Sequence, residues 1–168
     1  MQIDVIPAAL DDKPVLANLM QLYLYDFSEF AGWTINRHGL YDYRYLDHYW
    51  TEPDRYPFLL QVAGELAGFA LVRSLDEGDE PVYHVAEFFI MRTFRRTGHG
   101  EASARQLFYR FPGQWSISQL ERNEAAQRFW RAVIGRYTGE TYTERIDERG
   151  HRIQEFVATP DERVRRKA

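Results

Sequence analysis

"MRTFRRTGHGEASARQLF", residues 91–108, decides how the chain is read. The apolar run VYHVAEFFI (82–90) stops just before it. Arg92, Arg95 and Arg96 follow, then Gly98 and Gly100, then Ala104, Leu107, Phe108 and Phe111 at the spacing of one helix face. The order is strand, loop, helix. Guanidinium groups and the free backbone N–H groups of a helix N-terminus both favour anions. The stretch therefore predicts a phosphate-binding loop.

Two common phosphate loops fit poorly. A P-loop requires G-x-x-x-x-G-K-[ST], and no lysine stands here. A dinucleotide fingerprint requires G-x-G-x-x-G, but Ser103 occupies the place of the third glycine. Glu121 does lie about 20 residues on, where the ribose-binding acid belongs. The arginines inside the loop and the hairpin before it count against that match and against a dinucleotide-binding oxidoreductase.

Working outward, QIDVI (2–6) alternates as a short strand. Asp11 or Asp12 can cap a helix with Pro14 in its first turn, carrying the apolar stripe Val15, Leu16, Leu19, Met20, Tyr23 and Phe27. Residues 28–57 are aromatic, acidic and broken by Gly and Pro; loop is expected there, with a short helix near 43–50. FLLQVAGELAGFALVRSL is expected to be a hairpin turning at Gly64-Glu65. The nearly continuous apolar run 82–91 predicts a central strand. Pro112-Gly113 should stop the helix after the loop. QWSISQL is a further strand, Asn123 caps a helix ended by Gly135, and two strands flank Glu148-Arg149-Gly150. The order becomes β-α-(α)-β-β-β-α-β-α-β-β in one domain.

Composition narrows the classes. The 168 residues suffice for one core, and 45% apolar with 27% charged residues is ordinary for a globular domain. The net charge of -4 speaks against a general nucleic-acid binder. The chain has no cysteine, which removes thiolate metal sites and a cysteine nucleophile. The five histidines lack ligand spacing, so no metal is expected. MQIDVIPAALDDK lacks the pattern of a signal peptide, and no apolar run approaches membrane-spanning length; a cytoplasmic, non-membrane protein is expected. Residues 160–168 form a charged tail.

Arg95-Arg96-Thr97-Gly98-His99-Gly100 matches R/Q-x-x-G-x-G/A between a strand and an amphipathic helix. It resembles the pyrophosphate-binding loop of the GNAT-type N-acetyltransferases. Asn123-x-x-Ala126-x-x-Phe129-Trp130 resembles the N-x-x-A-x-x-F-Y helix of the same family, and the element order is similar over nearly the whole chain. The resemblance implies a single α/β (α+β) domain over 1–168, with a mixed central sheet of about seven strands flanked by helices. It implies acetyl transfer from acetyl-coenzyme A to an amine by direct attack on the thioester. A non-catalytic coenzyme A or acyl-coenzyme A binding module is the alternative.

The site expected from this has three parts. Arg95, Arg96, Thr97, Gly98, His99, Gly100 and Glu101 would hold the cofactor phosphates. Glycine lacks a Cβ and lets backbone approach a pyrophosphate, and the helix dipole adds to the attraction. Phe88, Phe89 and Ile90 would bind the pantetheine arm through their backbone, and Asn123, Phe129 and Trp130 would complete the cofactor site. Glu87, an acid in an apolar strand, is the candidate catalytic base, unless it merely faces a polar cleft or a salt bridge. His84 is an outside candidate. Tyr25, Asp26, Glu29 and Tyr41 are candidate acceptor-binding residues, with Trp33, Asp42, Tyr43 and Asp47 nearby. One departure stands out: Trp130 occupies the place of the tyrosine that often protonates the leaving thiolate, and tryptophan has no transferable proton. Tyr137 or Tyr142 could substitute, or the thiolate could leave unaided. A small-molecule or peptide amine is the expected partner, and an exposed last strand would allow a homodimer.

Overall fold

The computed structural model describes residues 2–76, 78 and 80–160; most of the charged tail lies outside the described residues. The elements are β1 (Ile3–Pro7), α1 (Lys13–Ala31), β2 (Arg55–Val62), β3 (Glu65–Asp76), β4 (Pro81–Ile90), α2 (His99–Arg110), β5 (Gly113–Gln119), α3 (Glu124–Thr138), β6 (Thr143–Ile146) and β7 (Arg152–Ala158). They form one mixed seven-stranded sheet in the order β1-β2-β3-β4-β5-β7-β6. Only β4 and β5 run parallel; the other neighbours are antiparallel. This is the α/β fold of about seven strands that the resemblance implied.

Helices cover both faces of the sheet, which is why β2 and β3 are apolar without alternation. Leu60, Val62, Ala70 and Val72 pack with Leu107, Phe108, Trp130 and Ile134 of α2 and α3. Leu59, Phe69 and Leu71 pack on the opposite face with Leu16, Leu19, Met20 and Tyr23 of α1. Alternate side chains of one strand thus enter two different cores.

Four local expectations are corrected. The hairpin turns at Ala63-Gly64, both at positive φ (52° and 83°), because a two-residue turn needs that twist to match the strands. The helix expected near 43–50 is only a 3-10 turn, Asp47–Trp50. Residues 32–46 are tied down by side chains instead. Gln21 accepts from the Tyr41 N–H (2.8 Å) and donates to its carbonyl (3.0 Å), and Asn36 Oδ1 accepts from the N–H groups of His38 and Leu40. Such side-chain bonds compete with helix formation. Gly135 does not end α3; the helix continues to Thr138 and is capped by Gly139 at φ 62°. Finally, the last strand, β7, is not exposed. It lies between β5 and β6, so this edge of the sheet is β6, which pairs with Arg152–Glu155 of β7.

The β6 edge is held by Glu144. It accepts two bonds from Arg131 of α3 (2.8 Å each), one from Arg152 (2.6 Å) and one from Gln154 (2.8 Å). The Arg131 bonds foremost hold its carboxyl down to about 2, from 4.5 ordinarily. A depressed folded pKa stabilises above the unfolded value, and the gain is lost as pH falls from about 4.5 towards 2. Glu144→Gln should therefore cost about 2 kcal/mol in urea unfolding at pH 7, and the difference from wild type should shrink steadily below pH 4.5. A cost independent of pH would contradict this account of the edge.

Candidate active site

β4 is the central strand, and its two edges differ. Along β3 it is paired from Pro81 to Ile90. Along β5 it is paired only at Val82, Tyr83 and His84, opposite Gln114, Trp115 and Ser116. Past His84 the strands diverge, leaving the backbone edge at Phe88–Ile90 without a strand partner. A bulge occurs at the same level: Val85 faces Val72 and Glu87 faces Leu71, so Ala86 is the extra residue. Val85 and Phe88 pack with the α2/α3 core, while Ala86 and Phe89 pack with the α1 core. The inserted residue thereby brings Glu87 to the α1 side, where a strict alternation from Val85 would have sent it to the other.

There Glu87 meets two tyrosines. Tyr23 of α1 donates its hydroxyl to Oε2 (2.5 Å), and Tyr43 donates to Oε1 (3.1 Å). Burial pushes the Glu87 carboxyl above the usual carboxylate range; the tyrosine bonds and the charge of Arg73 pull it back only in part. Burial, and next the Glu87 charge, raise the Tyr23 and Tyr43 hydroxyls, so both remain donors at neutral pH. His84 sits where β4 is still paired on both sides, opposite Arg73 and Ser116.

Glu87 lines a cleft of about 670 Å³ together with Leu24, Trp33, Tyr41, Asp42, Tyr43, Arg44 and Tyr45. Of the four acceptor residues expected from sequence, Tyr41 alone is in this lining. Tyr25 and Glu29 are exposed outside it. Asp26 is spent on the loop: its two oxygens take Arg92 and Arg95, each at 2.6 Å. Burial acts to raise the Asp26 carboxyl, but the bonds from Arg95 and Arg92 outweigh it and hold it below its usual range. Trp33, Asp42 and Tyr43 belong to the cleft, and Asp47 instead pairs with Lys13.

Beyond the open edge the chain makes a 3-10 turn (Arg92–Phe94) and enters α2 through Arg96 at φ 63° and Gly98 at φ 84°. The first bond of the helix runs from the Ala102 N–H to the Gly98 carbonyl (3.0 Å). The amides of Gly98, His99, Gly100 and Glu101 therefore have no intrahelical acceptor. Arg95 is committed to Asp26 and to the Ile90 carbonyl (2.7 Å). Arg96 is exposed and has no ion pair among the described residues. The Glu101 carboxylate is forked to Arg136 of α3 (2.6 and 3.0 Å), and Thr97 donates to Phe94. A side chain on Gly98 would meet no atom within 4 Å, whereas one on Gly100 would lie 3.1 Å from the Phe129 ring. Gly98 thus borders open space, and Gly100 lets α2 sit against α3.

Asn123 caps α3 by accepting from the Ala126 N–H (3.0 Å). Phe129 stacks on Phe88 at 5.9 Å, and Trp130 meets Phe88 edge-on at 5.2 Å. At 5% exposure Trp130 is a core residue. The Tyr137 hydroxyl donates to the Thr159 carbonyl (3.0 Å) and accepts from its N–H (3.2 Å), which commits it at the far end of β7.

The sheet thus opens beside its central strand, with free amides at the start of α2 and a carboxylate in a neighbouring cleft. A sequence model described as the acetyltransferase (GNAT) family matches residues 18–135. The chain belongs to this family and is an acetyl-coenzyme A-dependent N-acetyltransferase. No curated protein matches significantly. Solved structures share the fold at low identity. An acetyltransferase from Thermus thermophilus is 17% identical, with a TM-score of 0.69 over 94% of this chain and 97% of that one. A ribosomal-protein-S18-alanine N-acetyltransferase from Escherichia coli is 12% identical, with a TM-score of 0.63 over 94% and 95%. An aminoglycoside acetyltransferase from an uncultured soil metagenomic sample, solved with sisomicin, is 18% identical, with a TM-score of 0.58 over 78% and 86%. Among the described residues no helix is long and apolar enough to cross a membrane.

Proposed function

We propose that Glu87 is the general base of this acetyltransferase, taking a proton from an amine held in the cleft so that the nitrogen attacks the thioester directly. The observation that carries this is the placement of one carboxylate. Glu87 lines the cleft, is held by two hydroxyls, and lies where β4 loses β5. Burial raises its proton affinity, which suits a base working near neutral pH. The bonds from Tyr23 and Tyr43 keep the carboxylate oriented and limit that rise. Trp33, Tyr41 and Tyr45 offer ring faces that suit a protonated amine before it is deprotonated.

The residues present fit the cofactor. The four amides at Gly98–Glu101 and Arg96, which has no ion pair among the described residues, would form a cradle for its pyrophosphate, with open space above Gly98. Backbone groups at Phe88–Ile90 would hold its pantetheine arm and supply an oxyanion donor. Arg95, occupied by Asp26 and Ile90, shapes the loop in this account and does not hold phosphate. Acetyl-coenzyme A supplies an acetyl group already activated as a thioester. A thiol of pKa ~8.5 leaves readily as the thiolate, so Trp130 and the committed Tyr137 do not block the reaction.

Gly98→Ala tests the cradle. The new methyl meets no protein atom, so the fold should survive with a strain of about 1 kcal/mol at this positive φ. Overfilling a fitted space costs about 1–3 kcal/mol, or roughly ten- to hundredfold in affinity. Calorimetric titration with coenzyme A should show that loss. Unchanged affinity in the folded variant would remove the pyrophosphate from this loop.

A further inference from the structure

We propose that Arg44 selects an acceptor carrying an anionic group, a carboxylate or a phosphate, on the same small molecule as its amine; this rests on the amine-acceptor reading of the cleft. Three charged side chains line the cleft: Asp42, Arg44 and Glu87. Both Glu87 oxygens already accept hydroxyl bonds, and Asp42 Oδ1 accepts from Asn36 Nδ2 (2.9 Å). Arg44 has no hydrogen bond or ion pair with any described residue, so among the described residues it is the uncommitted cation of the cleft lining. Its backbone is not left loose. Tyr41 is clamped by Gln21, Tyr43 is bonded to Glu87, and Leu46 packs on the α1 core. The Arg44 backbone is therefore held in place beside Tyr43, one of the two tyrosines on Glu87, and its side chain is exposed at the cleft.

A guanidinium presents a planar fork that matches a carboxylate or a phosphate. The cleft volume of about 670 Å³ is that of a small-molecule site. Trp33, Tyr41 and Tyr45 would flank the body of such a ligand while its amine approaches Glu87. A polycation gains least here, because Arg44 would repel it and Asp42 is already partly engaged.

The test uses matched pairs: phenylalanine against phenethylamine for the carboxylate, and phosphoethanolamine against ethanolamine for the phosphate. In each pair the ratio of kcat/KM, anionic over neutral, is measured for wild type and Arg44→Gln. A charge-assisted fork predicts a wild-type ratio of about tenfold or more in at least one pair, falling to about one in the variant. The pair that shows it identifies the anion. Calorimetry of the same four ligands, with coenzyme A bound, reads the preference without turnover. If binding shows the Arg44-dependent preference but no amine is acetylated, this inference holds and the reading of the reaction fails. Equal kcat/KM or equal affinity within both pairs overturns it, as does a preference that survives Arg44→Gln. Failure of both anionic ligands to bind at millimolar concentration overturns it too.

Discussion

Glu87→Gln should lower turnover about 100- to 10,000-fold, the usual contribution of a positioned general base, with affinity for acetyl-coenzyme A little changed. Glutamine keeps the shape and still accepts a hydroxyl bond through its carbonyl oxygen. It gives up one of the two hydroxyl bonds, because the amide NH2 cannot accept, and it loses the ability to take the proton of the amine. The cofactor is held elsewhere in this account, by the α2 amides, Arg96 and the open edge of β4. The loss should shrink at high pH, where more of the acceptor is already a free amine. Rates within about threefold of wild type, far below that range, would make Glu87 a structural acid and leave deprotonation to water or another group. Steady-state kinetics with any active acceptor, alongside calorimetry with coenzyme A, separates these outcomes.

The largest effect on stability should come from Gly68→Ala. Gly68 lies in β3 opposite Ile90, the last residue of the open strand. A Cβ there would sit 1.9 Å from the Phe89 carbonyl oxygen and 2.9 Å from its carbon. These are backbone atoms, so no rotamer change relieves the clash and the two strands must separate. The cost should reach or exceed about 3 kcal/mol, the upper end for overpacking. Gly64→Ala is the matched control. It sits in the β2–β3 turn at φ 83° with nothing within 4 Å of the new methyl, so it should cost only the ~1–2 kcal/mol of a left-handed non-glycine residue. Urea unfolding of both variants decides the matter; equal costs would mean that β3 and β4 have slack at this level.

The glycine loop that opens α2 and the α3 cap are legible in sequence because each is a local pattern. Gly98, Gly100 and Asn123 lie within a few residues of the backbone groups they serve. Glu87 is legible as well, since an acid in an apolar strand must have donors. The identity of those donors is not. Tyr23 reads as one more member of the apolar stripe of α1, and Tyr43 stands in a segment with no period. A buried tyrosine hydroxyl needs a partner just as a buried acid does, and matching the two is the available signal. The bulge at Ala86 depends on the register against β3, which no local pattern encodes. The Asp26–Arg95 pair spans 69 residues, so in sequence both arginines of that cluster look free for phosphate. The misplaced end of α3 has a simpler cause: Gly135 and Gly139 are both glycines near a helix end, and only Gly139 adopts positive φ.

If Glu87 is the base, deprotonation of the carboxylate held by Tyr23 and Tyr43 switches on the reaction. The decisive measurement is a set of pH profiles of kcat for wild type, Tyr23→Phe and Glu87→Gln at saturating acceptor. A raised Glu87 pKa puts the acidic limb above the ordinary carboxylate range, with activity present above that pKa and lost as pH falls through it. Tyr23→Phe removes a hydrogen bond that favours the charged form, so the limb should move further towards alkaline pH. In Glu87→Gln that limb should be absent. A limb that stays at the same pH in all three proteins would contradict the account.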